Sequence, residues 1–398
     1  MSRVLISIAQ ARQLVLDAVG ALPSEPVPLG NALDRTLAAD VVAAENVPPF
    51  GNSAMDGFAV QHGPSRRTLR IVGEARAGTP SAVAVGPGEA VRISTGAAMP
   101  DGADAVVPVE DLQEHDGEIV VGIALDAGHH VRSAGEDLRA GETVLPAGTR
   151  LGAAELALAI GAGASALTCA RRPRVAILGT GDELREPGAP LGPGEIHNSN
   201  GMMLSALATR AGAEVVAVEH VRDDREATGA AFAAALDQAD VVIASGGVSV
   251  GPHDHVKPAL TALGVQETFW RVSLQPGKPT WFGTRGGQLV FGLPGNPVSS
   301  YVTFLLFARP ALRALQGGVP LPRRESAALS TSVRRGGREQ AMRVRLASAP
   351  GDPVLRATPN GPQGSHITSS LHDADALAFI PAGDGELTAG EPVEIERI

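Results

Sequence analysis

The first twenty positions carry apolar residues at helical spacing, which predicts an amphipathic helix that begins after Ser7. Between 68 and 149 the pattern changes to short apolar runs separated by Gly, Pro and Asp, which predicts short strands and a small β-rich domain. A brief helical run is predicted around 31–39. Residues 151–169 are predicted to form a helix with a glycine-rich end.

From 173 to 318 strand-like and helix-like patterns alternate. The predicted strands, nearly continuous in apolar residues, begin at 173 and recur near 214–219, 241–244, 265–273, 279–283 and 288–292. The predicted helices lie near 200–211, 226–236, 256–263 and 297–315. This order predicts a doubly wound, mostly parallel α/β sheet with helices on both faces. After Pro320 and Pro322 short strands return to the end of the chain, which predicts a second small β domain.

The sequence therefore predicts a multidomain protein of the α/β plus β class. Its expected parts are a linking region of helical and extended chain (1–43 with 143–170), a β-rich domain (44–142), an α/β domain (171–318) and a C-terminal β domain (319–398).

Composition and charge exclude several classes of function. The 398 residues include 33 basic and 43 acidic side chains, a net charge of −10, which argues against a nucleic-acid-binding protein. The single cysteine, Cys169, excludes intramolecular disulfides and Cys-rich zinc sites. Arg12 and Asp17 interrupt the first apolar stretch, unlike a signal peptide, and 151–170 is too weakly apolar for a membrane span. We expect a soluble, cytoplasmic protein without a membrane partner.

Unusual turns follow successive strands of the predicted α/β domain, where ligands bind in such sheets. The turns lie at 179–183, 222–224, 245–251 and 292–299, with a rigid turn at 275–279 that presents Lys278. Glycine and serine N–H groups at 245–251 suit a phosphate, and the paired carboxylates Asp182 and Glu183 could hold Mg²⁺. Each turn alone is more often only a turn or a helix cap, but four of them at the ends of one sheet indicate a ligand site.

Other turns and motifs give weaker evidence for a functional site. Asp56 in 52–60 and Asp137 in 133–137 fit ordinary Asx turns, and 361–367 fits an ordinary β-turn. His253 and His255 have no third ligand at metal-binding spacing. The chain contains neither a P-loop nor a dinucleotide-binding G-x-G-x-x-G motif.

The same turns resemble one family closely, the molybdopterin molybdenumtransferases, which are MoeA-like proteins and include the E domain of gephyrin. The most specific matches are NSAMDG, SGGVSVG and GLPGNP, and further matches include RSAGEDLRAGE, RVAILGTGDEL, QPGKPTWFG and GPQGSHITSSL. They occur in family order and span nearly the whole chain, from 8 to 396.

The resemblance implies a four-domain fold in which one domain is similar to molybdopterin-adenylylating enzymes, and an elongated homodimer. It implies an enzyme of molybdenum cofactor biosynthesis that inserts molybdenum from molybdate into adenylylated molybdopterin and releases AMP with Mg²⁺ present. Expected partners include the upstream adenylyltransferase and downstream molybdoenzymes or nucleotidyltransferases.

The resemblance also implies site residues. Asp56, Asp137 and Lys278 are expected to be catalytic, and the two aspartates belong to a lobe that in the family reaches the active site from the partner subunit. The expected Mg²⁺ ligands are Asp182, Glu183, Asp223 and Asp254. The expected substrate-binding residues are Thr180, Ser245, Gly246, Gly247, Pro294, Asn296, Pro297, Arg343 and Ser365, with Arg343 and Ser365 as oxyanion contacts.

This chain has Gln275 where the family often has a second lysine, so one positive charge near the molybdate is lost. Two alternatives stay open: the preceding adenylyltransferase, which lacks the β domains, and a non-catalytic molybdopterin-binding scaffold of the gephyrin type, which would not need the site carboxylates. The choice between molybdenum and tungsten is also open.

Overall fold

The computed structural model describes residues 5–247, 255–348, 351 and 353–398. The chain forms two compact units: Met1–Glu25 with Asp34–Ala38 and Cys169–Ile398, and Pro26–Leu33 with Ala39–Thr168. We call them the α/β–barrel unit and the β-rich unit. The four domain boundaries predicted above stay a prediction. No helix in the described ranges is long and apolar enough to cross a membrane.

The helices are α1 Ile8–Asp17, α2 Ala153–Gly161, α3 Ser199–Arg210, α4 Arg225–Gln238, α5 Val256–Ala262, α6 Pro297–Thr303 and α7 Arg309–Leu315. The strands are β1 Ser24–Pro28, β2 Val41–Val42, β3 Asn52–Ser53, β4 Gly57–Val60, β5 Arg67–Ala75, β6 Glu89–Ile93, β7 Ala105–Pro108, β8 Leu112–His115, β9 Glu118–Val121, β10 Val131–Arg132, β11 Thr143–Leu145, β12 Ala166–Ala170, β13 Arg174–Thr180, β14 Leu184–Arg185, β15 Ile196–His197, β16 Glu214–Val221, β17 Val241–Ser245, β18 Gln266–Trp270, β19 Leu274–Gln275, β20 Trp281–Arg285, β21 Gln288–Leu293, β22 Glu325–Leu329, β23 Val333–Arg334, β24 Glu339–Ala347, β25 Arg356–Pro359, β26 Ala376–Ile380, β27 Glu386–Leu387 and β28 Pro392–Arg397.

The central sheet of the α/β–barrel unit has the strand order β16-β13-β17-β21-β20-β18. The first four strands are parallel, whereas β20 and β18 pair antiparallel, so the sheet is mixed. Alternate residues of β13 enter different cores: Val175 and Ile177 pack with α1, α3, α6 and α7, and Ala176 and Leu178 pack with α4 and α5. This alternation buries both faces of the sheet, as the sequence predicted.

Helix α1 begins where the sequence placed it. The Ser7 hydroxyl accepts a hydrogen bond from the Gln10 backbone N–H at 3.1 Å, and the Gln10 side chain accepts one from the Ser7 N–H at 2.9 Å. This reciprocal capping box satisfies two N–H groups that a helix start otherwise leaves unpaired.

The long helix predicted at 297–315 contains a π-helical segment, Phe304–Ala308, between α6 and α7. Pro310 has no N–H to donate to the Leu306 carbonyl one turn earlier, and its ring would crowd that carbonyl in a regular α-helix. The wider π turn accommodates the proline. The Leu306 carbonyl accepts a hydrogen bond from Arg12 Nε at 3.0 Å instead.

The C-terminal part of this unit is a small closed barrel. Strands β24, β25, β22, β28 and β26 pair in that order, and β26 pairs back with β24. The core of the barrel includes Leu329, Val344, Ile380 and Ile395. Strand β19 from the α/β part adds to β24, which extends the barrel sheet toward the turn that carries Lys278.

The β-rich unit is built on a six-stranded sheet with the order β7-β4-β6-β5-β9-β8, and β5–β6 is its parallel pair. Gly57 lies where β4 pairs with both β6 and β7. A Cβ at this position would come within 2.0 Å of the Val107 carbonyl oxygen, so only glycine fits. The β-rich unit therefore contains short strands of the kind that the sequence predicted.

Two local predictions were wrong. The segment 31–39 is not a helix: only a 3₁₀ turn, Leu29–Asn31, is present, and Leu37 bridges to Cys169. The predicted helix 151–169 ends at Gly161, and its last residues belong to strand β12. Gly163 adopts φ +89°, a left-handed conformation that ends the helix and redirects the chain.

Candidate functional site

The carboxyl ends of three parallel strands meet at one edge of the central sheet. In the strand register Gly179 of β13 lies beside Ser245 of β17, and Ser245 lies beside Leu293 of β21. The turns that follow these strands therefore lie together, as the sequence predicted. They border a cavity of about 550 Å³, which we call the strand-end cavity. Its lining includes the predicted residues Thr180, Glu183, Ser245, Gly246, Gly247, Pro294, Asn296 and Pro297.

Glycines are required where the Ser245–Gly247 turn passes Thr180. Gly246 and Gly247 have φ values of +95° and +64°. A Cβ on Gly246 would lie 2.8 Å from the Thr180 carbonyl oxygen, and one on Gly247 would lie 2.8 Å from Thr180 Oγ1. Among the described residues, the buried Thr180 Oγ1 has no hydrogen-bond partner. Any side chain at these two positions would push the turn away from the cavity wall.

Asn200, at the start of α3, is a cavity residue that the sequence reasoning missed. Its Nδ2 donates to Ser245 Oγ at 2.9 Å and to the Gly295 carbonyl at 2.7 Å, while its buried Oδ1 has no hydrogen-bond partner within the part of the chain that the structure describes. The side chain thereby fixes the turns after β17 and β21 relative to each other. The available signal was the Asn198-Ser199-Asn200 run, in which Asn198 caps α3 through the Gly201 N–H.

A second cavity of about 400 Å³ adjoins the first, and the two share Pro279, Pro294 and Asn296 in their linings. We call it the cationic cavity, because Lys278 and Arg338 line it. Arg338 Nη1 donates to the Leu274 carbonyl at 2.7 Å, which holds the guanidinium at the wall. Gln275 also lines this cavity. Arg338 thus supplies a second cation beside the turn in which Gln275 replaces the expected lysine.

Ser365 reaches the same region from the barrel. Its hydroxyl accepts a hydrogen bond from Asn296 Nδ2 at 2.9 Å, and its carbonyl accepts one from the Val298 N–H at 3.1 Å. Both bonds join the 361–367 loop to the start of α6. Ser365 therefore lies in the wall of the cationic cavity, and its expected role as an oxyanion contact stays a prediction.

Arg343 lines neither of these two cavities, and its expected role as an oxyanion contact stays a prediction. The residue is 1% exposed inside the barrel unit. Its guanidinium donates to the carbonyls of Pro362, Gln363 and Gly364 and to the Ser370 hydroxyl. Burial lowers the pKa of Arg343 to about 10, so the side chain is still a cation at neutral pH.

The four residues that were expected to bind Mg²⁺ differ in where they lie relative to the strand-end cavity. Glu183 lines the strand-end cavity. Asp182 accepts a hydrogen bond from the Asp223 backbone N–H at 3.2 Å through Oδ1, so these two residues are neighbours. Asp254 lies outside the described residues. Within the described ranges no group of three His, Cys, Asp or Glu side chains is placed to hold a metal ion.

The two predicted catalytic aspartates lie in the β-rich unit. Asp56 Oδ1 accepts a hydrogen bond from the Thr95 N–H at 2.7 Å, and the Asp137 N–H donates to the Val47 carbonyl at 2.9 Å. Strands β3 and β10, which precede the two turns, pair antiparallel. This register sends the turns to opposite ends of the short ladder. Both residues are exposed.

The single cysteine, Cys169, lies on strand β12. It is fully buried, and this burial raises the pKa of its thiol. A thiol held in the protonated form is a poor nucleophile.

Three family descriptions match the chain in order along its length. The MoeA N-terminal region matches residues 6–163, a probable molybdopterin binding domain matches 176–314, and the MoeA C-terminal region matches 326–398. The chain belongs to the MoeA family. It is a transferase of the kind named molybdopterin molybdenumtransferase, and this membership supports a role in molybdenum cofactor biosynthesis.

Individual relatives match this chain over nearly its full length. The chain is 37% identical to Molybdopterin molybdenumtransferase 2 of Mycobacterium tuberculosis and 35% identical to Molybdopterin molybdenumtransferase of Haemophilus influenzae, over 98% of each chain. The solved structure of a molybdopterin biosynthesis MoeA protein from Pyrococcus horikoshii superposes with a TM-score of 0.85 at 28% identity, covering 99% of this chain and 100% of the other. The multidomain MoeA fold is therefore confirmed.

Proposed function

We propose that this family member inserts molybdenum from molybdate into adenylylated molybdopterin and releases AMP. The observation that carries the proposal is the pair of adjoining cavities. One is walled by Gly, Ser and Asn residues at strand ends, and the other carries Lys278 and Arg338. A reaction that joins a large phosphorylated pterin to a small oxyanion needs two such compartments in contact.

The strand-end cavity suits the phosphorylated substrate. Backbone N–H groups in glycine-rich turns at the end of a strand bind phosphate oxygens well. Its volume of about 550 Å³ lies within the usual range for a ligand of this size. Pro294 and Asn296, shared by the two linings, would lie between the pterin end of this substrate and the molybdate.

The cationic cavity suits molybdate. This oxyanion carries two negative charges, and its burial requires opposing charge and hydrogen-bond donors. Lys278 and Arg338 provide the charge, and the Ser365 and Gln363 side chains provide further polar contacts. Arg338 compensates for the charge that is absent at Gln275.

Mg²⁺ fits the residues present as an ion held partly by the substrate. This cation binds one or two carboxylates together with phosphates and water rather than an all-protein cage. Glu183 in the cavity wall would hold the ion against the phosphates, and Asp182, which accepts a hydrogen bond from the Asp223 N–H, would add a second carboxylate. The bound ion would neutralise charge on the two linked phosphates, of which one leaves in AMP and the other stays on molybdopterin.

Asp56 and Asp137 would complete the site from a second copy of the chain in a homodimer. The family resemblance supports this assignment, and both carboxylates are exposed and therefore accessible to a partner. The scaffold alternative is not favoured, since a non-catalytic scaffold would not need two cations in a cavity that adjoins the one lined by Glu183.

The direct test is to incubate the purified protein with adenylylated molybdopterin, molybdate and Mg²⁺. We expect release of AMP together with transfer of molybdenum to the pterin dithiolene, measured by chromatography and by metal analysis of the product. Omitting molybdate should leave the product free of molybdenum. AMP release without any transfer of molybdenum to the pterin would contradict the proposal.

A further inference from the structure

Two cations contact one indole at the carboxyl edge of the central sheet. The Lys257 ammonium nitrogen lies 3.0 Å from the centroid of the Trp270 ring, and the Arg271 guanidinium carbon lies 4.1 Å from the same centroid. An aromatic face attracts a cation, and the attraction grows where the pair is shielded from water, as at this half-buried tryptophan. We call these three residues the Trp270 clamp.

Arg271 reaches the ring of the residue before it because the strand ends there. In an extended strand neighbouring side chains point to opposite faces, so Arg271 could not lie over Trp270. Its φ of +76° is a left-handed conformation that arginine rarely adopts, and it turns the chain at the end of β18. The Arg271 N–H donates to the Thr280 carbonyl at 2.9 Å. This bond ties the turn to the segment that contains Pro279, which lines the strand-end cavity.

Lys257 connects the same ring to another part of that wall. It lies in the first turn of α5, directly after Val256. A Cβ on Gly247 would lie 2.5 Å from Val256 Cγ2, so this turn of α5 packs against the glycine turn. Gly247 lines the strand-end cavity but not the cationic cavity. The Lys257 side chain therefore joins the Gly247 part of the wall to Trp270.

The clamp lies beside the strand-end cavity rather than in it. In the strand register Trp270 is opposite Trp281, and Trp281 is opposite Gly292 near the end of β21. None of the three clamp residues lines either of the two adjoining cavities. The clamp therefore acts on a ligand only through the wall that it holds, at Gly247 on the side of α5 and at Pro279 on the side of β20.

We propose that Lys257, Trp270 and Arg271 are positioning residues that set the distance between the Gly247 turn and Pro279, and thereby the affinity of the strand-end cavity for a phosphorylated ligand. The inference rests on the proposed function, in which that ligand is adenylylated molybdopterin. A cavity whose walls are correctly placed in only a fraction of the molecules binds with an affinity reduced by that fraction. Both cations contribute, because each joins a different part of the wall to the same ring.

The first test compares the two substrates in the AMP-release assay. Lys257→Met removes the charge and keeps an unbranched side chain, whereas Lys257→Arg keeps the charge. We expect Lys257→Met to raise the KM for adenylylated molybdopterin about tenfold, equivalent to ~1.4 kcal/mol, while kcat and the KM for molybdate change by less than about twofold. Lys257→Arg should restore most of the affinity. The matched control is Arg285→Met, which removes a cation from the other end of β20 and should leave all three values unchanged.

A second test reads the clamp without turnover. The chain has two tryptophans, so Trp281→Phe leaves Trp270 as the only indole. In this background Lys257→Met should shift the fluorescence emission of Trp270, because the charge over the ring is removed. Calorimetric titration with AMP in the presence of Mg²⁺ should give a Kd about tenfold higher than that of the parent protein. In a Trp270→Leu background Lys257→Met should not raise this Kd further, since the ring through which the charge acts is gone.

The outcomes separate this inference from the proposed function. Equal KM and Kd values in Lys257→Met and the wild type would overturn the clamp alone. A parallel change in kcat and both KM values, or an undiminished effect of Lys257→Met without Trp270, would overturn it as well. A wild type that binds AMP, more tightly than Lys257→Met does, but releases none from adenylylated molybdopterin would overturn the proposed function and support the clamp. A wild type that binds no AMP would overturn both.

Discussion

Arg12 and Glu396 lie 384 residues apart in the chain and form a buried ion pair, with Nη1–Oε1 and Nη2–Oε2 distances of 2.6 Å. Arg12 Nε also donates to the Leu306 carbonyl at 3.0 Å, the carbonyl that Pro310 leaves without its helical donor. One side chain of α1 therefore joins the π-helical segment to the last strand of the barrel. This relationship ties the barrel, which carries the 361–367 loop, to the α/β sheet.

Removal of Glu396 should destabilise the α/β–barrel unit strongly. Glu396→Gln leaves the Arg12 guanidinium buried without its counter-charge, and breaking a buried pair in this way costs about 3–5 kcal/mol. We expect a matching drop in the free energy of unfolding, measured by chemical denaturation. The exposed pair Arg397–Glu325 provides the control, and Arg397→Met should change stability little. Equal effects in the two variants would contradict a special role for the buried pair.

Acid should lower the free energy of unfolding of the α/β–barrel unit, because it protonates Glu396. Burial alone would raise the pKa of Glu396, but the hydrogen bonds and charge of Arg12, together with Arg324, hold it below the ordinary value. A carboxylate with a lowered pKa in the folded chain stabilises the fold above its unfolded-state pKa, ~4.3 for Glu, and this contribution is lost as the pH falls through the folded-state pKa.

The measurement is the free energy of unfolding from neutral pH down to acid. We expect a steeper fall for the wild type than for Glu396→Gln. Glu339 acts in the opposite sense, because its burial raises its pKa. Glu339→Gln should therefore leave the acid sensitivity in place. A wild-type profile parallel to that of Glu396→Gln would show that Glu396 does not carry the effect.

Glu183 should control the dependence on Mg²⁺. Its carboxylate lines the strand-end cavity, so Glu183→Gln removes a charge from the proposed ion site without changing the shape of the wall. We expect slower AMP release and a higher Mg²⁺ concentration for half-maximal activity, while the melting temperature stays near that of the wild type. Glu186→Gln, three residues away and outside the cavity lining, is the matched control. An unchanged Mg²⁺ response in Glu183→Gln would show that the carboxylate stabilises the turn and does not hold the ion.

Lys278 and Arg338 should set the molybdate requirement. Lys278→Ala and Arg338→Ala each remove one of the two cations in the cationic cavity, and each should raise the molybdate concentration for half-maximal AMP release about tenfold, or ~1.4 kcal/mol. Gln275→Lys should lower it, and high salt should shrink this gain by screening. Arg335→Ala, whose guanidinium contacts the Pro381 and Ala382 carbonyls, serves as the control. If only the control changed the requirement, the cavity assignment would be wrong.

A shared site should be visible in mixtures of impaired variants. We expect Asp56→Asn to impair the part of the site that the β-rich unit supplies, and Glu183→Gln at limiting Mg²⁺ to impair the strand-end cavity. If each active site combines the two units from different subunits, mixed dimers contain one site with both residues intact. We expect partial recovery of AMP release after subunit exchange, which mass spectrometry of differently labelled subunits would confirm. Exchange without recovery, or a monomer in sedimentation, would exclude the shared site.

Local sequence patterns determined much of this protein. The Ser7 cap, the apolar strands and the glycine-rich turns depend on neighbouring residues, so their periodicity and spacing were sufficient to predict them. Because parallel strands place their carboxyl ends at one edge, the meeting of Thr180, Ser245 and Pro294 also followed from the pattern. The resemblance of the motifs added the family, which composition and periodicity did not reveal.

Tertiary structure decided which arginine lines the cationic cavity. Arg338 and Arg343 lie five positions apart around the start of β24, and in a strand an odd separation sends two side chains to opposite faces. The sequence does not show which face the barrel encloses. The pairing of β24 with β26 buries Arg343 and leaves Arg338 at the wall beside Leu274. Asn200 was missed for the same reason, since its role depends on two turns that only the folded sheet brings together.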